Sequence, residues 1–131
     1  MRLARALASA ALLSACATAR PLPDRLDGAA AREVLQRFVE ALDAARWEEA
    51  LALASARWRA AYTPGRLALD HRGAAATAHD LTVRVERQLA AGVPLLLTAG
   101  SARLALGGGS CALLVAEGGG WRVDALDAPE R

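Results

Sequence analysis

The spacing of apolar residues changes once along this chain, near Val93, and that change limits the possible folds more than any other feature. Before it, apolar side chains recur at the three-and-four spacing of one helix face. After it come short runs at residues 95–98, 102–106, 110–117 and 121–126. They are divided by Gly100, by Gly107-Gly108-Gly109 and by Gly118-Gly119-Gly120. Glycine at such breaks supplies the positive φ angles of hairpin turns. Trp121, Val123 and Ala125 alternate with Arg122 and Asp124, as a strand wet on one side requires. The predicted class is therefore α+β, with N-terminal helices packed on a C-terminal antiparallel β-meander of three to four strands.

The helical half divides at its own signals. Asp27 is placed to cap a first helix whose buried face is Ala31, Val34, Leu35, Phe38, Ala41, Leu42 and Ala45. Arg32, Glu33, Arg37, Glu40 and Asp43 fall on its wet side. After a break at Ala45-Arg46, a second helix carries Trp47, Ala50, Leu51, Ala54, Trp58 and Ala61. Thr63-Pro64 marks a third start, with Thr as cap and Pro in the first turn, and Gly73 ends that helix. Residues 80–91 read two ways. Leu81, Val85 and Leu89 fit a helix capped by Asp80 and stopped at Gly92, while Leu81 to Val85 also alternates like a strand. The length of the run favours helix.

The start of the chain carries a different signal. Arg2 and Arg5 precede an apolar run over residues 6–13, too short to span a bilayer, and small residues follow it. This is the pattern of a secretory signal peptide. Leu13-Ser14-Ala15-Cys16 resembles the lipobox of bacterial lipoproteins. That resemblance implies cleavage after residue 15, a diacylglyceryl group on the Cys16 sulfur and a further acyl chain such as palmitate on the new amine. One fatty chain binds a membrane only marginally, whereas three would hold it in place. Residues 16–27 then form a lipidated N-terminus and extended tether. Pro21 and Pro23 stiffen it, and about 3.1 Å per residue gives a reach of roughly 30 Å. The domain proper is expected over residues 28–128. Ala17 stands where inner-membrane lipoproteins carry Asp, so the resemblance implies the outer membrane, facing the periplasm.

Removing the leader changes the arithmetic of charge and thiols. The 131-residue chain has 16 Arg, no Lys and 14 acidic residues. Loss of Arg2 and Arg5 leaves a near-neutral mature chain of about 116 residues, one small domain without a basic face for nucleic acid. Lys, Ile and Asn are absent while Ala, Arg, Leu and Gly abound, which is the bias of a GC-rich genome. With Cys16 lipidated, Cys111 has no partner within the chain. It reads as a small buried residue in Cys111-Ala112-Leu113-Leu114-Val115.

The order of elements also resembles the nuclear-transport-factor-two-like superfamily, a cone-shaped fold shared with polyketide cyclases. The resemblance rests on Phe38 to Ala50, with its Ala-Arg-Trp-Glu-Glu segment, and on Cys111 to Leu126, above all Gly119-Gly120-Trp121-Arg122-Val123. It implies a pocket between helices and sheet. The middle of this chain has more helix and fewer strands than that family's pattern.

Candidate chemistry is sparse. His71 and His79 each adjoin an acid, in Asp70-His71 and His79-Asp80. Sequence neighbours point different ways, however, and no third ligand stands at a metal-binding spacing. The glycine triplets lead into strands, not into the helix amino-terminus that a phosphate cradle needs. Trp47, Trp58, Trp121 and Tyr62 could line a cleft, but helix-face spacing favours core packing. Arg57-Trp58-Arg59 reads as a solvated flank around a buried ring. No catalytic residue, metal ligand or cofactor is expected, and lipidation of Cys16 is the one site assigned. The expected role is a non-enzymatic envelope lipoprotein, a binding or scaffold module engaging membrane lipid through Cys16 and an envelope protein partner. The alternatives are a small cyclase-type enzyme using His71 or His79 with Asp70 or Asp80, and a carrier of an apolar ligand.

Overall fold

A computed structural model describes residues 20–130. The expected signal peptide, residues 1–15, and the expected lipidation site Cys16 lie outside the described residues. Five helices come first: α1 (Gly28–Asp43), α2 (Trp47–Leu53), α3 (Ala56–Ala61), α4 (Pro64–Gly73) and α5 (Ala75–Ala90). Four strands follow: β1 (Leu96–Thr98), β2 (Ser101–Gly107), β3 (Ser110–Glu117) and β4 (Gly120–Pro129). They pair antiparallel in the order β1-β2-β3-β4, a simple meander. The architecture is α+β, as the single change of apolar period requires. No described helix is long and apolar enough to cross a membrane.

The core is built on α1. Asp27 caps it through a 2.7 Å bond from the Ala30 amide, and Val34, Leu35, Phe38 and Val39 are fully buried. They meet Ala102, Leu104, Ala112, Leu114, Trp121 and Val123 from the inner face of the sheet. Removing such side chains from water is worth about 1.5–3 kcal/mol each. Trp121 also spends its indole N–H on the Asp27 carbonyl, at 3.1 Å, so one side chain joins the last strand to the start of the first helix. The far end of α1 closes in a Schellman turn. Arg46 N donates to Ala41 O and Ala45 N donates to Leu42 O, which forces Ala45 to a φ of 56°. Ala45 is thus exposed beyond the helix and does not extend its apolar face.

Other departures from the sequence reading have local causes. The expected second helix is two helices, because Ala54 and Ser55 take extended backbone. There Ala54 bridges to Val123, and the Ser55 amide donates to Val123 O at 2.8 Å. A bond to the free edge of the sheet replaces a bond within the helix. Residues 80–91 are helical, but α5 begins at Ala75, five residues before the expected cap. Asp80 lies within the helix, 3.9 Å from Arg84. Along β4 the alternation holds to Val123 and then slips. Leu114 pairs with Val123 and Leu113 with Ala125, so Asp124 is an extra, bulged residue. A second irregularity before Ala128 follows, and Leu126, not Ala125, returns to the core.

Residues 20–27 have no regular secondary structure, yet they are bound along the domain. Arg37, expected on the wet side of α1, is 9% exposed and donates to the carbonyls of Pro21 and Arg20, both at 3.1 Å. Arg20 reaches Glu33 at 2.7 Å. Leu22 packs against the core. At the β3–β4 turn, a Cβ on Gly120 would fall 2.7 Å from Pro23 O, so the strap passes where only glycine leaves room.

Candidate functional site

The break between α2 and α3 fixes one wall of a cleft. Ser55 Oγ donates to the Asp124 carboxylate at 2.7 Å, and Arg57 Nε donates to the same oxygen at 3.1 Å. Arg57 Nη2 and Trp58 Nε1 both donate to the Asp124 carbonyl, at 2.6 and 2.7 Å. The bulge matters here, because it turns both the carboxylate and the carbonyl of one residue toward α3. Glu117 on β3 accepts from the Ala56 amide at 3.0 Å, supplying the start of α3 with an acceptor where the Ser55 side chain makes no cap bond. Arg59 donates to Ala54 O and lies 3.6 Å from Glu117. Arg57 and Arg59 are solvent-exposed, as the sequence reading has them, and are also paired with acids on the sheet.

With α3 held in this way, Trp58 stands between core and cleft. Its ring meets Phe38 edge-on at 5.8 Å and Tyr62 at 5.5 Å. The cleft in front of it has a volume of about 440 Å³ and opens to solvent. Its floor and walls are Leu42 from α1, Trp58 and Ala61 from α3, Tyr62 from the link, Leu67 from α4, Ala78 and Leu81 from α5, and Ala125 and Leu126 from β4. Polar groups stand among them at Arg57, Asp70, His71, Asp124 and Asp127. Thr63 caps α4, accepting from the Arg66 amide at 3.2 Å with Pro64 in the first turn, and so delivers Leu67, Asp70 and His71 one turn apart on the cleft side.

The electrostatics are set by pairing. Burial pushes the Asp124 carboxyl up, but hydrogen bonds from Arg57 and Ser55 and the Arg57 charge outweigh it and hold the group below its ordinary value. Asp70 pairs with Arg66 at 3.0 Å, outside the cleft lining. The cationic side chain in the lining, Arg57, is thus committed to Asp124.

The structure brings Asp70 and His71 into this cleft, and it separates them from His79 and Asp80, which are exposed on α5. The His71 ring lies 5.0 Å from Trp47, inclined at 57°. Among the described residues no group of three or more His, Cys, Asp or Glu is placed to hold a metal ion. Trp121 is core, as the sequence reading favoured. Trp58 and Tyr62 pack against the core and line the cleft as well. Asp124 was legible only as the wet face of a strand, since nothing in its sequence surroundings marks a bulge.

Fold and site together define an α+β domain with an open apolar cleft at the β4 edge of its sheet. No family model, curated protein or solved structure matches this chain.

Proposed function

We propose that this chain is a lipid-anchored protein of the bacterial envelope whose domain binds an apolar small molecule in the cleft between α3, α4, α5 and β4. The observation that carries the reading is the cleft itself. At about 440 Å³ it falls within the range of small-molecule sites, and its walls are aromatic and aliphatic with a few polar groups at fixed places. The lipobox resemblance at Leu13 to Cys16 supports the anchor, and Ala17 in place of Asp supports an outer-membrane address. An envelope protein partner remains compatible with this role, because the ligand must be received from and passed to something.

Ala61 is exposed and lines the cleft, so Ala61→Trp fills the site without entering the core. Native mass spectrometry of the chain extracted from bacterial membranes should show a non-covalent adduct that Ala61→Trp abolishes. A chain that is always free of adduct would count against ligand binding. For the anchor, Cys16→Ser should leave the protein unprocessed or release it from the membrane fraction. Mature-sized Cys16→Ser protein that still pellets would refute lipidation.

A second reading, a cyclase-type enzyme, draws on the presence of His71 beside Asp70 in the lining. Under it, His71 takes a proton from the bound molecule, and His71→Phe abolishes turnover while leaving the adduct in place. Loss of the adduct itself in His71→Phe would leave only a packing role for that ring.

A further inference from the structure

We infer that the ligand of the cleft carries a positively charged head group of the ammonium type on its apolar body. The inference rests on the binding role proposed above and names the chemical class that this same site would take. Three carboxylates, Asp70, Asp124 and Asp127, stand in the lining against a single guanidinium, Arg57. Arg57 is spent twice on Asp124, through Nε on the carboxylate at 3.1 Å and through Nη2 on the carbonyl at 2.6 Å. A fatty acid or a lipid phosphate would need a cation in the lining to answer its charge. Of the two basic side chains in the lining, Arg57 is already answered by Asp124 and His71 stands beside Asp70, and the chain contains no Lys to supply another.

A cation meets the opposite situation. After Arg57 offsets Asp124 and Arg66 offsets Asp70, Asp127 keeps the mouth of the cleft negative. Trp58 and Tyr62 supply aromatic surface beneath, which attracts a cation through the ring quadrupole and accepts apolar groups equally well. The apolar body then lies against Leu67 and Leu81, with the head toward Asp127.

The test compares three probes that share one body: phenylbutyltrimethylammonium, phenylbutanol and phenylbutyrate, titrated calorimetrically into the full chain in the Cys16→Ser form. The cation should bind about tenfold more tightly than the carboxylate, with the alcohol between them. Asp127→Asn should weaken the cation about threefold and leave the alcohol unchanged. Ala61→Trp should abolish binding of all three. Carboxylate binding as tight as cation binding, blocked by Ala61→Trp, would overturn the charge assignment and leave the apolar site standing. Failure of all three probes to bind would overturn the site together with the inference.

Discussion

Replacing Asp124 tests the corner on which the cleft depends, and the structure gives the size of the effect. Ser55 is 1% exposed and its hydroxyl donates to the Asp124 carboxylate. Asp124→Ala strands that hydroxyl, at a cost of about 1–3 kcal/mol. The ion pair lost at the same time contributes only about 0.5 kcal/mol, because the Arg57 side chain is 67% exposed and screened by solvent. The total is about 1.5–3.5 kcal/mol, or roughly 10 °C in Tm for a domain of this size. Asp124→Asn keeps an acceptor for Ser55 and should cost no more than about 1 kcal/mol. The double variant Ser55→Ala/Asp124→Ala removes the stranded hydroxyl and should recover about 1 kcal/mol relative to Asp124→Ala. Urea unfolding followed by tryptophan fluorescence measures all four proteins. The gap between the parent and Asp124→Asn should also depend on pH. A carboxyl held low in the folded state stabilises it at pH values above the unfolded value of about 3.9. The gap should be full at neutral pH and close as pH falls below about 4 through the lowered folded value. Equal losses for Asp124→Ala and Asp124→Asn, or a further loss on adding Ser55→Ala, would refute this account.

Three other outcomes are expected. Ala45→Gly should stabilise the domain by about 1 kcal/mol in the same urea assay, since Ala45 holds a φ of 56° that glycine adopts without strain; destabilisation would show that this conformation is not costly here. Gly120→Ala should displace the strap, because its new methyl would lie 2.7 Å from Pro23 O, and limited trypsin digestion should then cut at Arg25 much faster than in the parent; unchanged cleavage would mean that the strap is not held at this point. Cys111 is 1% exposed, and burial pushes its thiol pKa up, so it should react with a thiol reagent only at the rate of unfolding; fast labelling of the folded chain would contradict its burial.

How legible this molecule was depends on the range of the interactions involved. Asp27, Thr63 and Pro64 act within one helical turn, and each appears in the structure where its local chemistry places it. The glycine triplets act within one hairpin, and the turn at Gly118 and Gly119 has the left-handed φ values that two-residue connections demand. Illegibility begins where a residue is governed by something distant in sequence. Ala54 and Ser55 sit in a stretch with unbroken helical spacing and leave the helix only because Val123 offers a carbonyl 68 residues further on. Arg37 reads as solvent-facing until Arg20 and Pro21 cover it. Trp58 reads as core because sequence periodicity marks a face without saying whether that face is filled to its edge. The cleft exists because it is not.

The break, the bulge and the cleft have a common origin. β4 lies at the edge of the sheet, and its outward-facing N–H and C=O groups need partners or a device that prevents pairing with another chain. One continuous helix over residues 47–61 would cover the core but leave that edge open. Interrupting the helix at Ala54 and Ser55 sets two residues against Val123 and ends the exposed run of backbone there. The interruption also limits α3 to Ala56–Ala61, and the cleft lies between that short helix and Leu67 and Leu81. The bulge at Asp124 then supplies a carboxylate and a carbonyl that hold α3 in this position. An apolar cleft is left beside an edge that is now protected, and Asp127, three residues after the bulge, stands in its lining. Edge protection and the shape of the cleft therefore depend on the same few residues. A substitution that loosens the Ser55–Asp124 corner should impair both together, whereas Ala61→Trp should close the cleft and leave the edge intact.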